Sequence, residues 1–237
     1  MERRTIYVGL AIFVVIAGFI AAAILLKQQD SLRGVEYQQP LAASEITLIR
    51  ADGKTFRLSE QKDKIVILFF GYTFCPDVCP TTMADLKQVY NGLGGNARSV
   101  EIVFITVDPG RDTSEHMQDY VDRFNPSFIG LGSSEAELES VWKNYGVFRE
   151  IVPGTSPTNY SVNHSVRITL IDQNGNLRLS YGYQTPVDDI LHDIKLLLTS
   201  RDYIVSFLRR FPHASHLSYY QTNIILHADR VADRRGH

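Results

Sequence analysis

Two stretches of strand length leave this chain little freedom in how it folds. Residues 65–70 (IVILFF) and 100–107 (VEIVFITV) are apolar at nearly every consecutive position. Side chains alternate faces along a strand, so a strand with one wet face alternates apolar and polar residues. Unbroken apolar runs need cover on both faces, which points to a sheet lying between layers of helix. Helical patterns follow in the intervening sequence. Residues 82–90 put Met83, Leu86 and Tyr90 on one face, and Leu138, Val141, Trp142 and Tyr145 recur at i, i+3, i+4 and i+7. Ser134 with Glu137 reads as a capping box, and Asp112 with Glu115 marks the start of a helix that ends near Phe124.

Hairpins flank this centre. Residues 46–50 and 54–58 are joined by Asp52-Gly53, and 166–171 and 177–181 by Asn174-Gly175, dipeptides that tolerate the positive φ of tight turns. Residues 153–158, rich in Pro, Gly and Ser, read as a loop before the second hairpin. Thr185 is expected to cap a final helix, with Pro186 at its first position and Asp188 and Asp189 in its first turn. The order β–α–β–α–α–β–β–α, with buried central strands, predicts an α/β sandwich of thioredoxin type over residues 43–200, a central mixed sheet flanked by helices.

The ends of the chain read differently. Residues 6–26 contain no charged residue and, as a helix, would reach about 30 Å, enough to cross a bilayer. A cleaved signal peptide would have a shorter apolar core of about 7–15 residues. Residues 1–27 are therefore expected as a short N-terminus and a transmembrane anchor, with 28–42 as a polar linker. Arg3 and Arg4 keep the N-terminus in the cytoplasm or matrix, which places the globular domain on the extracytoplasmic side, periplasm or intermembrane space. Residues 201–237 read as an extension without a legible role, containing a short helix at 201–210. The histidines of that tail, among them His213 and His216, read as features of a polar segment. A formal net charge of −2 offers no field for collecting phosphates, which argues against nucleic acid as a partner.

The chemistry lies in residues 71–80 (GYTFCPDVCP), which follow a buried strand and precede a helix, where open α/β sheets present their ligands. Cys75 and Cys79 are the chain's two cysteines. If Cys75 caps the helix and Pro76 opens it, the two sulfurs share a face at i, i+4, although Pro80 would leave that first turn partly non-helical. Redox pairs of such folds generally use Cys-x-x-Cys. The extra residue here leaves room for a metal ion between the sulfurs. Before the second hairpin, where thioredoxin-like folds usually place a cis-proline against the cysteine turn, the sequence reads Tyr160-Ser161-Val162-Asn163-His164-Ser165. His164 is the natural third ligand. Two thiolates and one imidazole suit copper, as Cu(I) or Cu(II), whereas zinc would prefer a fourth donor.

Three motifs carry a family resemblance: residues 71–82 (GYTFCPDVCPTT), 107–113 (VDPGRDT), and His164-Ser165 ahead of a strand and the turn 172–175. Over roughly residues 40–200 the chain resembles the Sco/SenC family of copper-binding assembly factors for cytochrome c oxidase. The resemblance implies copper held by Cys75, Cys79 and His164 and delivered to the binuclear copper site of the oxidase's copper-bearing subunit. The donor that supplies the copper is left unnamed by it. It implies a chaperone rather than an enzyme, with reduction of that subunit's cysteines by an anchored thiol–disulfide reductase as the alternative. Asp77 and Asp108 fall in the motifs without ligand roles, Asp108 being expected to shape the site through hydrogen bonds. Asn163 stands where the family commonly has aspartate, Ser114 replaces a frequent proline, and nothing after about Ser200 resembles the family.

Overall fold

The structure, a computed structural model, describes residues 7, 13, 15–19, 31–156 and 159–210, with backbone alone at 39–40 and 200–210. Six strands form one mixed sheet in the order β1-β10-β9-β4-β5-β6. Its centre is β4 (Ile65–Gly71), buried at every position, beside parallel β5 (Val100–Thr106). Each buried Ile, Val, Leu or Phe of these strands contributes on the order of 1.5–3 kcal/mol by leaving water, which is why these runs choose the middle of the sheet. Short β6 (Ile129–Leu131) lies parallel to β5. On the other side β9 (Ile168–Ile171), β10 (Asn176–Tyr181) and β1 (Val35–Ala42) are successively antiparallel. Two small hairpins accompany the sheet: β2 (Thr47–Ile49) with β3 (Thr55–Arg57), and β7 (Arg149–Ser156) with β8 (Asn159–His164).

The helices that accompany the strands after residue 31 are α1 (Val78–Gly92), α2 (Ser114–Asp122), α3 (Glu135–Asn144) and α4 (Val187–Arg210). Their apolar faces, including Met83 and Leu86 of α1, Met117 and Val121 of α2, and Leu138 and Trp142 of α3, are buried. The capping box of α3 forms as read, with Ser134 and Glu137 satisfying each other's backbone N–H groups.

Several expectations need correction. The segment read as a linker, 28–42, contains β1, a polar strand that earns its place by pairing with β10 rather than by burial; Pro40 is compatible with an edge position. Residues 153–158, read as a loop, belong largely to the β7–β8 hairpin, whose register shifts between Pro153 and Ser156. Helix α2 is capped by Thr113, whose hydroxyl accepts from His116 N–H, and not by Asp112. Helix α1 starts at Val78, four residues earlier than read (78 against 82), because a proline in the first turn removes an N–H that has no helical partner anyway. Helix α4 starts at Val187, after Pro186, and runs without a break through 201–210, so the separate short helix read there is its continuation. By contacts the chain divides within this helix, into Met1–Ile194 and Lys195–His237.

The expected membrane helix over residues 6–26 lies outside the described residues, apart from positions 7, 13 and 15–19, which are helical. Among the described residues no helix is long and apolar enough to cross a membrane.

Candidate metal centre

Parallel strands β4 and β5 end side by side, with Gly71 opposite Thr106. The chain leaving β4 turns through Tyr72-Thr73-Phe74-Cys75, closed by a hydrogen bond from Cys75 N–H to the Tyr72 carbonyl (3.3 Å). Asp77 takes the N-cap position of α1 without a side-chain cap, and Cys79 lies buried in the first turn. Cys79 N–H points back at Cys75 Sγ (3.4 Å), as the free amides of a helix N-terminus favour. Gly71 makes this approach possible, since a Cβ there would lie 2.7 Å from both Cys79 Sγ and Phe104 Cε2.

His164 comes from the end of β8 and reaches the same point. Its Nε2 is 3.6 Å from Cys79 Sγ. Its Nδ1 lies 2.9 Å from the Ser165 carbonyl, which can only accept, so Nδ1 carries the proton and Nε2 presents a lone pair. Tyr72 stands edge-on to the imidazole at 5.7 Å and fixes its tilt. The ligand atoms of Cys75, Cys79 and His164 all lie within 4.8 Å of one another, a group that could hold a metal ion. The three residues singled out in the sequence are thus brought together, although His164 is 85 positions from Cys79.

The two thiols are not equivalent. Cys75 is drawn down to about 3, first by the hydrogen bond from the Cys79 thiol and further by the backbone amides of Asp77 and Cys79, against the opposing effect of burial. Cys79 is pushed well above the ordinary thiol range by the same hydrogen bond and by its burial. The pair therefore gives up its first proton from Cys75 and keeps the second on Cys79.

Residues without a ligand atom in the cluster hold the turn in place. Asp112, 1% exposed, accepts from Thr73 N–H (3.1 Å), Thr73 Oγ1 (2.6 Å) and Thr106 Oγ1 (2.7 Å). Burial pushes its carboxyl upward despite these donors. Asp108, also buried, accepts from Tyr160 OH (2.7 Å) and Arg111 Nε (2.5 Å). The Arg111 guanidinium stacks 3.6 Å from the Tyr160 ring and 4.7 Å from Phe74, the exposed aromatic of the cysteine turn. Asp108 thus braces the neighbourhood as expected. The structural part of Asp112 was missed in the sequence, where it was read as a helix cap; the Thr113 that follows it, able to cap the helix itself, is the signal that frees it.

A family model described as SCO1/SenC matches residues 35–199. The chain belongs to the SCO1/SenC family. A SCO2-like protein of Rickettsia felis is 32% identical over 152 residues, 64% of this chain and 74% of that one. Among solved structures, the apo Sco1 protein of Thermus thermophilus superposes with a TM-score of 0.65 at 34% identity, covering 71% of this chain and 98% of that chain. Bradyrhizobium japonicum ScoI, solved with copper bound, gives 0.61 at 32% identity over 66% of this chain and 99% of that chain. These likenesses support the mixed α/β, thioredoxin-like Sco fold. The family match begins at the first residue of β1, the strand that the sequence reading left in a linker.

Proposed function

We propose that this SCO1/SenC member is a membrane-anchored copper chaperone. It takes one copper ion as cargo on Cys75 Sγ, Cys79 Sγ and His164 Nε2, and delivers it to the binuclear copper site of cytochrome c oxidase during assembly. The observation that carries the reading is the convergence of two sulfurs and a bare imidazole nitrogen within 4.8 Å, from segments far apart in sequence. Soft thiolates with one imidazole suit copper, and three protein donors leave the ion open to a donor from an acceptor, so that it can be passed on by ligand exchange. The relative from Bradyrhizobium japonicum was solved with copper bound, which supports the same cargo here. The acceptor is the copper-bearing oxidase subunit that the family resemblance implies.

The anchor in this reading is residues 1–27. The described positions there are helical, and their large apolar side chains are exposed, Phe19 at 79% and Phe13 at 70%, as suits a surface meant for lipid. Arg3 and Arg4 set the orientation, with the globular domain on the extracytoplasmic side.

The second reading, a thiol–disulfide reductase, is favoured by one observation: Cys75 is held as a thiolate beside a protonated Cys79, the state from which exchange starts. The deciding experiment loads the full chain in detergent with Cu(I) under anaerobic conditions and measures copper per chain in competition with a chromogenic chelator. One tightly held copper, lost in Cys75→Ala, Cys79→Ala and His164→Ala, is expected. Wild-type retention by Cys75→Ala overturns the chaperone reading.

A further inference from the structure

Asp193, on α4, is fully buried and is not used by the metal centre. Its carboxylate accepts from Arg33 N–H (2.9 Å), Gly34 N–H (2.8 Å) and Tyr181 OH (3.1 Å). The Arg33 side chain adds a bond to Asp189, one turn earlier on the helix (2.8 Å). Gly34 is required for this fit, since a Cβ there would lie 2.6 Å from Tyr181 Cε1. A buried carboxylate this well supplied with donors is costly to build and hard to pull apart. It staples the backbone just ahead of β1 to the body of the domain.

The register of the sheet says which end of the domain is stapled. Val35 faces Ser180, Ser180 faces Thr169, and Thr169 faces Leu68. Strand β1 runs antiparallel to β4, so the residues before Val35 lie toward Gly71, the end of β4 that opens into the cysteine turn. Three strand spacings, about 14 Å, separate β1 from β4 across that end. The opposite end of the sheet, where Asp63 N–H bonds the Gln173 carbonyl, lies about 20 Å farther along β4. If residues 6–26 lie in the bilayer, residues 27–32 can span at most about 20 Å between it and the staple.

We infer that the Asp193 staple holds the domain with its Cys75–Cys79–His164 end turned toward the membrane that carries the anchor. The cluster is thereby presented toward the bilayer surface instead of toward bulk solvent. This rests on the anchored copper-chaperone reading and adds to it an orientation.

The test uses the full chain, metal-free, in lipid nanodiscs doped with lipids bearing a nitroxide on the headgroup. A fluorescent amino acid is incorporated at Tyr183, exposed just past the end of β10, or at Asn174, exposed in the turn at the opposite end. The Tyr183 probe should be quenched several-fold more strongly than the Asn174 probe. Equal or reversed quenching overturns the orientation. A long Gly/Ser insertion between Asp30 and Ser31 leaves the staple intact and should abolish the contrast; an unchanged contrast overturns the tether argument. Failure of the underlying reading shows separately. A chain that does not enter nanodiscs refutes the anchor, and one that enters with the expected contrast but binds no copper refutes the cargo while leaving the orientation standing.

Discussion

Replacing Asp112 by alanine tests whether the cysteine turn is held from below. The substitution removes the acceptor of three hydrogen bonds, from Thr73 N–H, Thr73 Oγ1 and Thr106 Oγ1. Bonds to an ionised acceptor contribute about 1.5–3 kcal/mol each, and donors left buried without partners carry their own penalty. Against this stands the cost of keeping the carboxylate buried, visible in its upward-shifted titration. A net destabilisation of about 2–4 kcal/mol is expected, the size that loss of a buried polar network usually produces. For a domain of this length that is a fall in Tm of roughly 5–15 °C. Thr73 lies two positions before Cys75, so a loosened turn should also weaken copper binding, by the roughly 10–100-fold typical of lost supporting hydrogen bonds. Thermal unfolding of the metal-free chain and chelator competition of the loaded chain measure the two effects. The pH dependence adds a signed check. A carboxyl whose folded pKa is raised above the ordinary 3.8 binds its proton more readily in the folded state, so the folded state gains as pH falls toward that raised value. The stability of wild type relative to Asp112→Asn should therefore shift in favour of wild type on moving from neutral to mildly acid pH. Wild-type Tm and copper affinity in Asp112→Ala would refute the bracing argument.

Three further outcomes are expected. Gly71→Ala forces a methyl group to 2.7 Å from Cys79 Sγ and Phe104, which should cost about 1–3 kcal/mol in urea unfolding and weaken copper binding; unchanged chelator competition would contradict it. His164→Ala should abolish tight copper binding while reducing a small-molecule disulfide at close to the wild-type rate, because exchange needs a thiolate and a resolving thiol but no imidazole ligand; copper binding retained by His164→Ala would contradict the ligand role. In the reduced, metal-free chain, iodoacetamide at pH 5 should modify Cys75 and spare Cys79, as read by peptide mass spectrometry. The accompanying stability term has a fixed sign. With a folded pKa of about 3 against an ordinary 9.0, Cys75 contributes fully above about pH 9 and loses that contribution as pH falls toward 3.

What could be read from the sequence was whatever is written in side chains. The apolar runs of β4 and β5, the turn dipeptides of two hairpins and the Ser134–Glu137 box each announce their structure locally. The grouping of Cys75, Cys79 and His164 was legible because its two sulfurs are the chain's only sulfhydryls and its imidazole lies in a recognisable motif. Elements written in backbone pairing were not legible. Strand β1 (VEYQQPLA) leaves its apolar Val35 and Leu41 exposed, and its stability comes from hydrogen bonds to β10 and the Asp193 staple. Strand β6 is only three residues long, and β7 is masked by Pro153 and Gly154, which usually signal a loop. Asp112 illustrates a different limit, because an acid next to a helix start and an acid buried under a turn look identical until the chain is folded.

The distance in sequence between the two halves of the Cys75–Cys79–His164 cluster has a consequence for biosynthesis. Cys75 and Cys79 emerge from the ribosome or translocon well before His164, and the imidazole arrives beside them only when β9 has paired with β4 and the β7–β8 hairpin has closed. Pairing of such distant segments is a late and slow event in folding. Until then the nascent chain offers a stray copper ion two sulfurs and no third donor, a poor resting place. Only a finished domain brings all three donors together, so the order of synthesis itself acts as a quality control: an incomplete or misfolded copy lacks the assembled cluster.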